Sequence, residues 1–271
     1  MSNLGAGGNA RVNEGQGKVI QSLGKAVERS RDTGSALPNV YDSFKFRFRR
    51  GATSMIAGAP GTYKSTLALN LLSGWADKGI TGLYISADSD EFTVGKRMAA
   101  MRSGDKISQV ERYLRQGEYA ETLNMPGVRF GFVPLDMRKL DQHVRGFESV
   151  YDSFPDVIFV DNLTNAIDSG GEEFGAMRQM TKDLDVLARA SQSHVMILHH
   201  TSESWESVMP PPRWRVMGKV TAIPRLVLTL GCEGNMLHIA TVKDSNGPQD
   251  ASGQTYESLY VDTETMRIRE L

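Results

Sequence analysis

Thr53-Ser-Met-Ile-Ala-Gly58-Ala-Pro-Gly61-Thr-Tyr63-Lys64-Ser65-Thr66-Leu-Ala-Leu69 decides how this chain is read. Its apolar opening predicts a buried strand, its centre a turn of small residues, and its end a helix. Strand, small-residue turn and helix in that order form the setting of a phosphate-binding loop. Small side chains let successive backbone N–H groups curl around a phosphate, and the helix N-terminus behind them adds its dipole. The predicted cradle is Gly58, Ala59, Pro60, Gly61, Thr62, Tyr63, Lys64, Ser65 and Thr66. Lys64 is expected to reach the β- and γ-phosphates, and the Ser65 hydroxyl to bind Mg²⁺. Tyr63 stands where the motif has glycine. A Cβ there crowds the backbone, and a positive φ is costly for an aromatic residue. Its ring would stack on a base or a neighbouring side chain. Nucleotide binding survives this departure; rapid hydrolysis is less secure.

Outward from the loop, strand-like stretches alternate with helix-length segments. The strands are 53–57, 81–87, 128–133, 156–161, 195–199 and 226–230, and helical periodicity covers 64–78, 90–118, 137–153 and 172–192. This alternation predicts an α/β fold with a mostly parallel twisted sheet and helices on both faces. Beyond Leu226 the helices stop. Strands over 237–242 and 258–269, joined by Gly/Asn/Asp turns, predict antiparallel C-terminal hairpins. Phe44, Phe46 and Phe48 alternate with Lys45, Arg47 and Arg49, which predicts a half-buried strand with a basic outer face. Residues 1–36 read as a flexible arm: a Gly/Asn-rich tail, then a short amphipathic stretch carrying Val19, Leu23 and Val27. Residues 37–271 read as the core.

Composition narrows the function. The 271 residues carry 31 basic and 32 acidic side chains, a net charge of −1, so any nucleic-acid binding must come from local patches. Cys232 is the sole cysteine, which excludes an internal disulfide and a cysteine-based zinc cage. No apolar run approaches the ~18–20 residues of a membrane span. The N-terminus has no hydrophobic signal core, so the expected compartment is the cytoplasm.

With the phosphate loop in place, the order of later segments resembles the RecA-like ATPases, in their DnaB-type helicase and RepA-like branch, over about 37–262. Asp156-Val-Ile-Phe-Val-Asp161 is similar to the Walker B strand, whose terminal carboxylate holds Mg²⁺ through water. In Leu83-Tyr-Ile-Ser86-Ala-Asp88-Ser-Asp90-Glu91, the resemblance places on Asp88 the carboxylate that polarises the attacking water. The family has the longer Glu there. Asp90 and Glu91 also suit the first turn of a helix, where the dipole favours negative charge. His194-Val-Met-Ile-Leu-His199-His200-Thr201 resembles the strand ending in a γ-phosphate sensor. That points to His200, with a structural histidine as the alternative. Adjacent strand residues face opposite ways, so His199 and His200 cannot share one ligand. Lys243-Asp-Ser245-Asn246-Gly247-Pro248 is similar to the turn whose Lys and Arg enter the next subunit's ATP site. Lys243 matches, but Ser245 replaces the arginine, which implies slow turnover. A simple hairpin turn is the other reading.

The resemblance implies ATP and Mg²⁺ as cofactors, a homo-oligomeric ring or filament, and single-stranded or forked DNA as partner. Two loops are expected to meet DNA. One is 162–173 with Asp168. The other is 201–221, where Trp205, Arg213, Trp214, Arg215 and Lys219 would grip phosphates and stack a base. The expected activity is that of a slow ATPase with a helicase core, serving phage- or plasmid-type replication or recombination. Two alternatives stay open: a RecA-like mediator that uses ATP as a switch on single-stranded DNA, and a metal-dependent nuclease on branched DNA. The latter would gather Asp88, Asp90, Glu91 and Asp161 around Mg²⁺ or Mn²⁺.

Overall fold

The computed structural model describes residues 34–134, 136–163, 173–202 and 208–271. Among the described residues nine strands form one sheet: β1 (Thr53–Gly58), β2 (Gly82–Ser86), β3 (Val128–Phe132), β4 (Val157–Asp161), β5 (His194–His200), β6 (Leu226–Glu233), β7 (Met236–Asp244), β8 (Tyr256–Asp262) and β9 (Arg267–Arg269). The spatial order is β3-β2-β4-β5-β1-β6-β7-β8-β9. The six strands from β3 to β6 run parallel. β7, β8 and β9 continue antiparallel, as the loss of helical periodicity after Leu226 predicts.

The helices are α1 (Lys64–Asp77), α2 (Glu91–Ser103), α3 (Ile107–Tyr113), α4 (Ala120–Leu123), α5 (Met137–Tyr151) and α6 (Glu173–Ser191). They cover both faces of the sheet because the parallel strands are apolar on both. On one face Ile56, Tyr84, Phe159 and Leu198 pack with Leu67, Leu71 and Trp75 of α1. On the other, Met55, Ile85, Ile158 and Ile197 pack with Leu140 and Val144 of α5 and Leu184 of α6. Neighbouring residues of each strand thus enter opposite cores, as a period of two requires.

Three expectations are corrected. Residues 44–50 are not a regular strand; pairing there is limited to the bridge Ala36↔Arg49. Phe44, Phe46 and Phe48 are all buried, but they form a chain of ring contacts to Tyr41 and Trp75, with centroids 4.5–5.3 Å apart. The alternation reports a half-buried segment anchored by rings, with Arg47 donating to the carbonyls of Phe44 and Phe46. The helix expected over 90–118 breaks at Gly104, whose φ of 83° closes α2 in the left-handed region. The strand expected over 258–269 splits at a turn in which Asp262 accepts the N–H groups of Glu264 and Thr265.

Register positions the functional ends. Gly58 pairs with His200, and Ser86 with Asp161, so these residues form a row at the C-terminal edge of four parallel strands. Ligands of open α/β sheets bind at that edge.

Candidate nucleotide site and a neighbouring groove

The loop between β1 and α1 uses each small residue for a reason. A Cβ on Gly58 would stand 2.4 Å from Thr62 Oγ1. Thr62 returns to the loop by donating to the Ala59 carbonyl at 2.8 Å. Gly61 has φ 82°, and Tyr63 adopts φ 58°, ψ 23° immediately before α1. The loop therefore keeps the left-handed turn that glycine would favour, with an aromatic residue in it. Tyr63 is held there by the packing of its side chain against the core.

Lys64 is buried, and its Nζ donates to the carbonyls of Gly58 and Ala59 at 2.9 and 2.8 Å. Burial pulls its pKa down to about 8, against the opposing pull of Asp161 and Asp88. Asp161, at the end of β4, is also buried and accepts the Tyr84 hydroxyl at 2.6 Å. Burial pushes its pKa up, while hydrogen bonds from Tyr84 and Ser65 oppose the rise. A cis peptide bond joins Asp161 to Asn162, whose Nδ2 lies 3.2 Å from Nε2 of His200. Burial, reinforced by the Lys64 charge, lowers the pKa of His200 and favours its neutral form. His199 points the other way. It is fully buried, contacts the Met217 carbonyl at 3.0 Å and has its pKa lowered by burial to about 4.

These groups converge on one cleft of about 350 Å³. Pro60, Gly61 and Tyr63 to Thr66 supply one wall, Asp88, Ser89 and Arg97 a second, and Asp161, Asn162 and His200 a third; Met266, from the turn between β8 and β9, closes it. Lys64, Ser65, Asp88, Asp161 and His200 all line this cleft, whereas Gly58, Ala59 and Thr62 of the expected cradle do not. Arg97, which follows the Leu83–Glu91 stretch in the resemblance, also lines the cleft; Asn162 and Met266 as cleft residues, and Tyr84 behind it, escaped the sequence reading. Met266 is far from the loop in sequence, and its carbonyl is held by Asn70 of α1 at 3.0 Å. Tyr84 leaves one faint signal, a hydroxyl between Leu83 and Ile85 in a fully buried strand. The donors suit a phosphate–Mg²⁺ pair: a buried ammonium beside two carboxylates, and an acid whose charge is unfavourable without a counter-ion. A hydroxyl and a carboxylate are the hard oxygen ligands that Mg²⁺ prefers.

The four carboxylates proposed for a nuclease are not gathered. Asp88 and Asp161 line the cleft, whereas Asp90 is exposed and caps α2 by accepting the Thr93 N–H at 2.7 Å. Glu91 lies in the first turn of that helix. Among the described residues, no group of three or more His, Cys, Asp or Glu side chains is placed to hold a metal.

Lys243 stands apart from the cleft. Its Nζ donates within its own chain to the carbonyls of Thr221, Ala222 and Pro224, at 3.0, 2.8 and 2.6 Å. Ser245 donates its N–H to the Arg225 carbonyl.

The segment after β5 folds into 3₁₀ turns over Arg213–Arg215 and Met217–Ala222. With α6 it borders a groove of about 670 Å³ that includes Phe174, Arg178, Trp214, Arg215 and Lys219. Trp214 is 71% exposed and Phe174 54%. Arg213 does not line this groove. Asp168 and Trp205 lie outside the described residues.

A phosphate loop on β1, a carboxylate ending β4 and a polar residue ending the intervening β5, on a sheet that turns antiparallel after β6, define a RecA-like P-loop nucleotide-binding fold. The chain belongs to the AAA domain family, whose model matches residues 25–206. It is 31% identical over 255 residues to the Gene 65 protein of Mycobacterium phage L5, covering 88% of this chain and 94% of that one. A solved ATPase domain superposes with a TM-score of 0.76 at 14% identity, covering 92% of this chain and 96% of that chain. A DnaB-like replicative helicase superposes at 0.74 and 14% identity, with 92% of this chain covering 65% of the helicase chain. Among the described residues, no helix is long and apolar enough to cross a membrane.

Proposed function

We propose that the protein is an ATP-dependent DNA-processing protein of phage- or plasmid-type replication or recombination, a helicase-like motor core working as a ring or filament on single-stranded or forked DNA. The observation that carries this reading is the convergence of Lys64, Ser65, Asp88, Asp161 and His200 in one cleft. The backbone of 58–63 and Lys64 bind the phosphates, with Lys64 exchanging its two loop carbonyls for phosphate oxygens. Ser65 and Asp161 hold Mg²⁺, which supplies charge neutralisation at the phosphates. Asp88 orients and deprotonates the attacking water. His200, held by Asn162, reports on the terminal phosphate. Trp214, Arg215, Lys219 and Arg178 take the DNA, with Trp214 stacking a base and the cations meeting phosphates. The 1–36 arm and 37–271 core remain the proposed division of the chain.

Labelled single-stranded, forked and duplex DNA, with and without ATP and Mg²⁺, test the proposal. Strand separation that requires both cofactors is the expected result; cutting, or unwinding without ATP, refutes it. The RecA-like reading, ATP as a switch with little unwinding, is favoured by one observation. Lys243 is engaged by its own chain, and Ser245 offers no guanidinium, so a neighbour's site gains little transition-state charge stabilisation. Mobility shifts that depend on ATP without strand separation would select it.

A further inference from the structure

Tyr84 has no place in the sequence reading and does not line the cleft, yet it bonds directly to Asp161, one of the two groups assigned to Mg²⁺. It is fully buried in β2, with its ring stacked on Phe159 at 5.5 Å and packed near Phe130 at 5.8 Å. Its hydroxyl donates to Asp161 Oδ2 at 2.6 Å. The Ser65 hydroxyl, at the start of α1, stands near both that phenol and the Asp161 carboxylate. One direct bond thus ties β2 to the end of β4 behind the phosphate loop. A phenol buried in an apolar core is unfavourable unless its hydroxyl finds a partner. Here that partner is the carboxylate ending the adjacent strand.

We infer that Tyr84 is a positioning residue for the Mg²⁺ site, bracing Asp161 so that its remaining lone pairs face the cleft. This rests on the nucleotide–Mg²⁺ reading of that cleft. The bond from the core side holds Oδ2 and fixes the carboxylate rotamer. Asp161, which does line the cleft, then presents its other oxygen to a cation without a search over rotamers. The register makes the arrangement possible, since Ser86 of β2 pairs with Asp161 and Tyr84 precedes Ser86 by one side-chain repeat on the same face. Partners behind metal ligands are worth about 10–100-fold in metal affinity or activity when removed.

The test is Tyr84→Phe, which keeps the ring and removes the donor. Binding of a fluorescent ADP to the full chain is measured in EDTA and over a Mg²⁺ titration, alongside thermal unfolding without nucleotide. The expected result is unchanged binding in EDTA and about a tenfold rise in the Mg²⁺ needed for half-maximal enhancement. An unchanged Mg²⁺ midpoint overturns the inference while leaving the nucleotide site intact. Absence of any Mg²⁺-dependent binding in the wild type overturns the site reading itself. Asp161→Asn, alone and with Tyr84→Phe, asks whether Tyr84 acts through Asp161. Tyr84→Phe should add little to the binding defect of Asp161→Asn. Equal, additive losses in both backgrounds refute the coupling. Should Tyr84→Phe alone fail to fold, recovery of folding in the double variant supports the coupling, because the carboxylate left short of a donor is gone. A double variant as unfolded as the single refutes it.

Discussion

Replacing Lys243 by methionine should unlatch the end of β7 from the segment that leads into β6. The lysine ammonium donates to the carbonyls of Thr221, Ala222 and Pro224. Burial lowers its pKa, with Arg213 and Arg225 adding to the effect, so forming this latch carries a desolvation cost. A hydrogen bond to a charged group contributes about 1.5–3 kcal/mol. Three of them do not sum to three times that figure here. The lysine is half-exposed, and water can replace it at the carbonyls. The ordered side chain also regains about 2 kcal/mol of rotamer entropy when released. The net destabilisation is therefore about 3 kcal/mol. At roughly 2–4 °C per kcal/mol for a chain of this size, the melting temperature should fall by about 6–12 °C. Methionine retains the apolar stem, so the loss reports the ammonium and not the packing. Thermal and urea unfolding of wild type, Lys243→Met and Lys243→Arg, without nucleotide or DNA, measure it. A methionine variant within about 0.5 kcal/mol of wild type refutes the latch. If that variant also lost turnover and poisoned wild type on mixing, Lys243 would act in a neighbour's site.

Lys64→Ala should abolish nucleotide-dependent activity and weaken ATP binding in calorimetry; equal affinity in both proteins defeats the phosphate-loop reading. Arg215→Ala and Lys219→Ala should each lower the salt slope of single-stranded DNA binding by about 0.7, and Trp214→Ala should weaken binding by about 1–3 kcal/mol per stacked base. Arg213→Ala serves as a control outside the groove, and a slope that changes with Arg213 alone would relocate the DNA. His194 is fully buried between Ser54 and the Arg49 carbonyl, and burial lowers its pKa from 6.5 to about 4. The unfolded chain then binds more protons than the folded one between those values. Its contribution is present above pH 6.5 and is lost as the pH falls toward 4. The urea midpoint should fall more steeply across this window in wild type than in His194→Gln; equal slopes count against the assignment.

The phosphate loop, the Walker B strand and the two-way facing of His199 and His200 were legible because each is a local pattern. Periodicity of two and a turn of small residues are properties of consecutive residues. The Phe44–Phe48 alternation shows where such reading stops. It correctly marks which side chains are buried, but a strand needs a partner edge, and the rings meet Tyr41 and Trp75 instead. Asp90 and Glu91 show the same limit from the site's side. Their spacing fits a metal cluster or a helix start equally well, and only the backbone direction at α2 separates the two.

The sequence by itself determined the α/β class, the parallel sheet, the hairpins at its end and the turn of small residues between β1 and α1. These follow from side-chain volume, backbone freedom and hydrophobic period along the chain. Tertiary structure decided the strand order that sets Gly58, Asp161 and His200 in one row, and it recruited Met266 to the cleft. It also decided that Tyr84 stands behind Asp161 and that Lys243 bonds its own chain. Each of these is a contact between residues distant in sequence. Its geometry depends on strand register and on how the two apolar faces of the sheet are covered, and no local pattern encodes either.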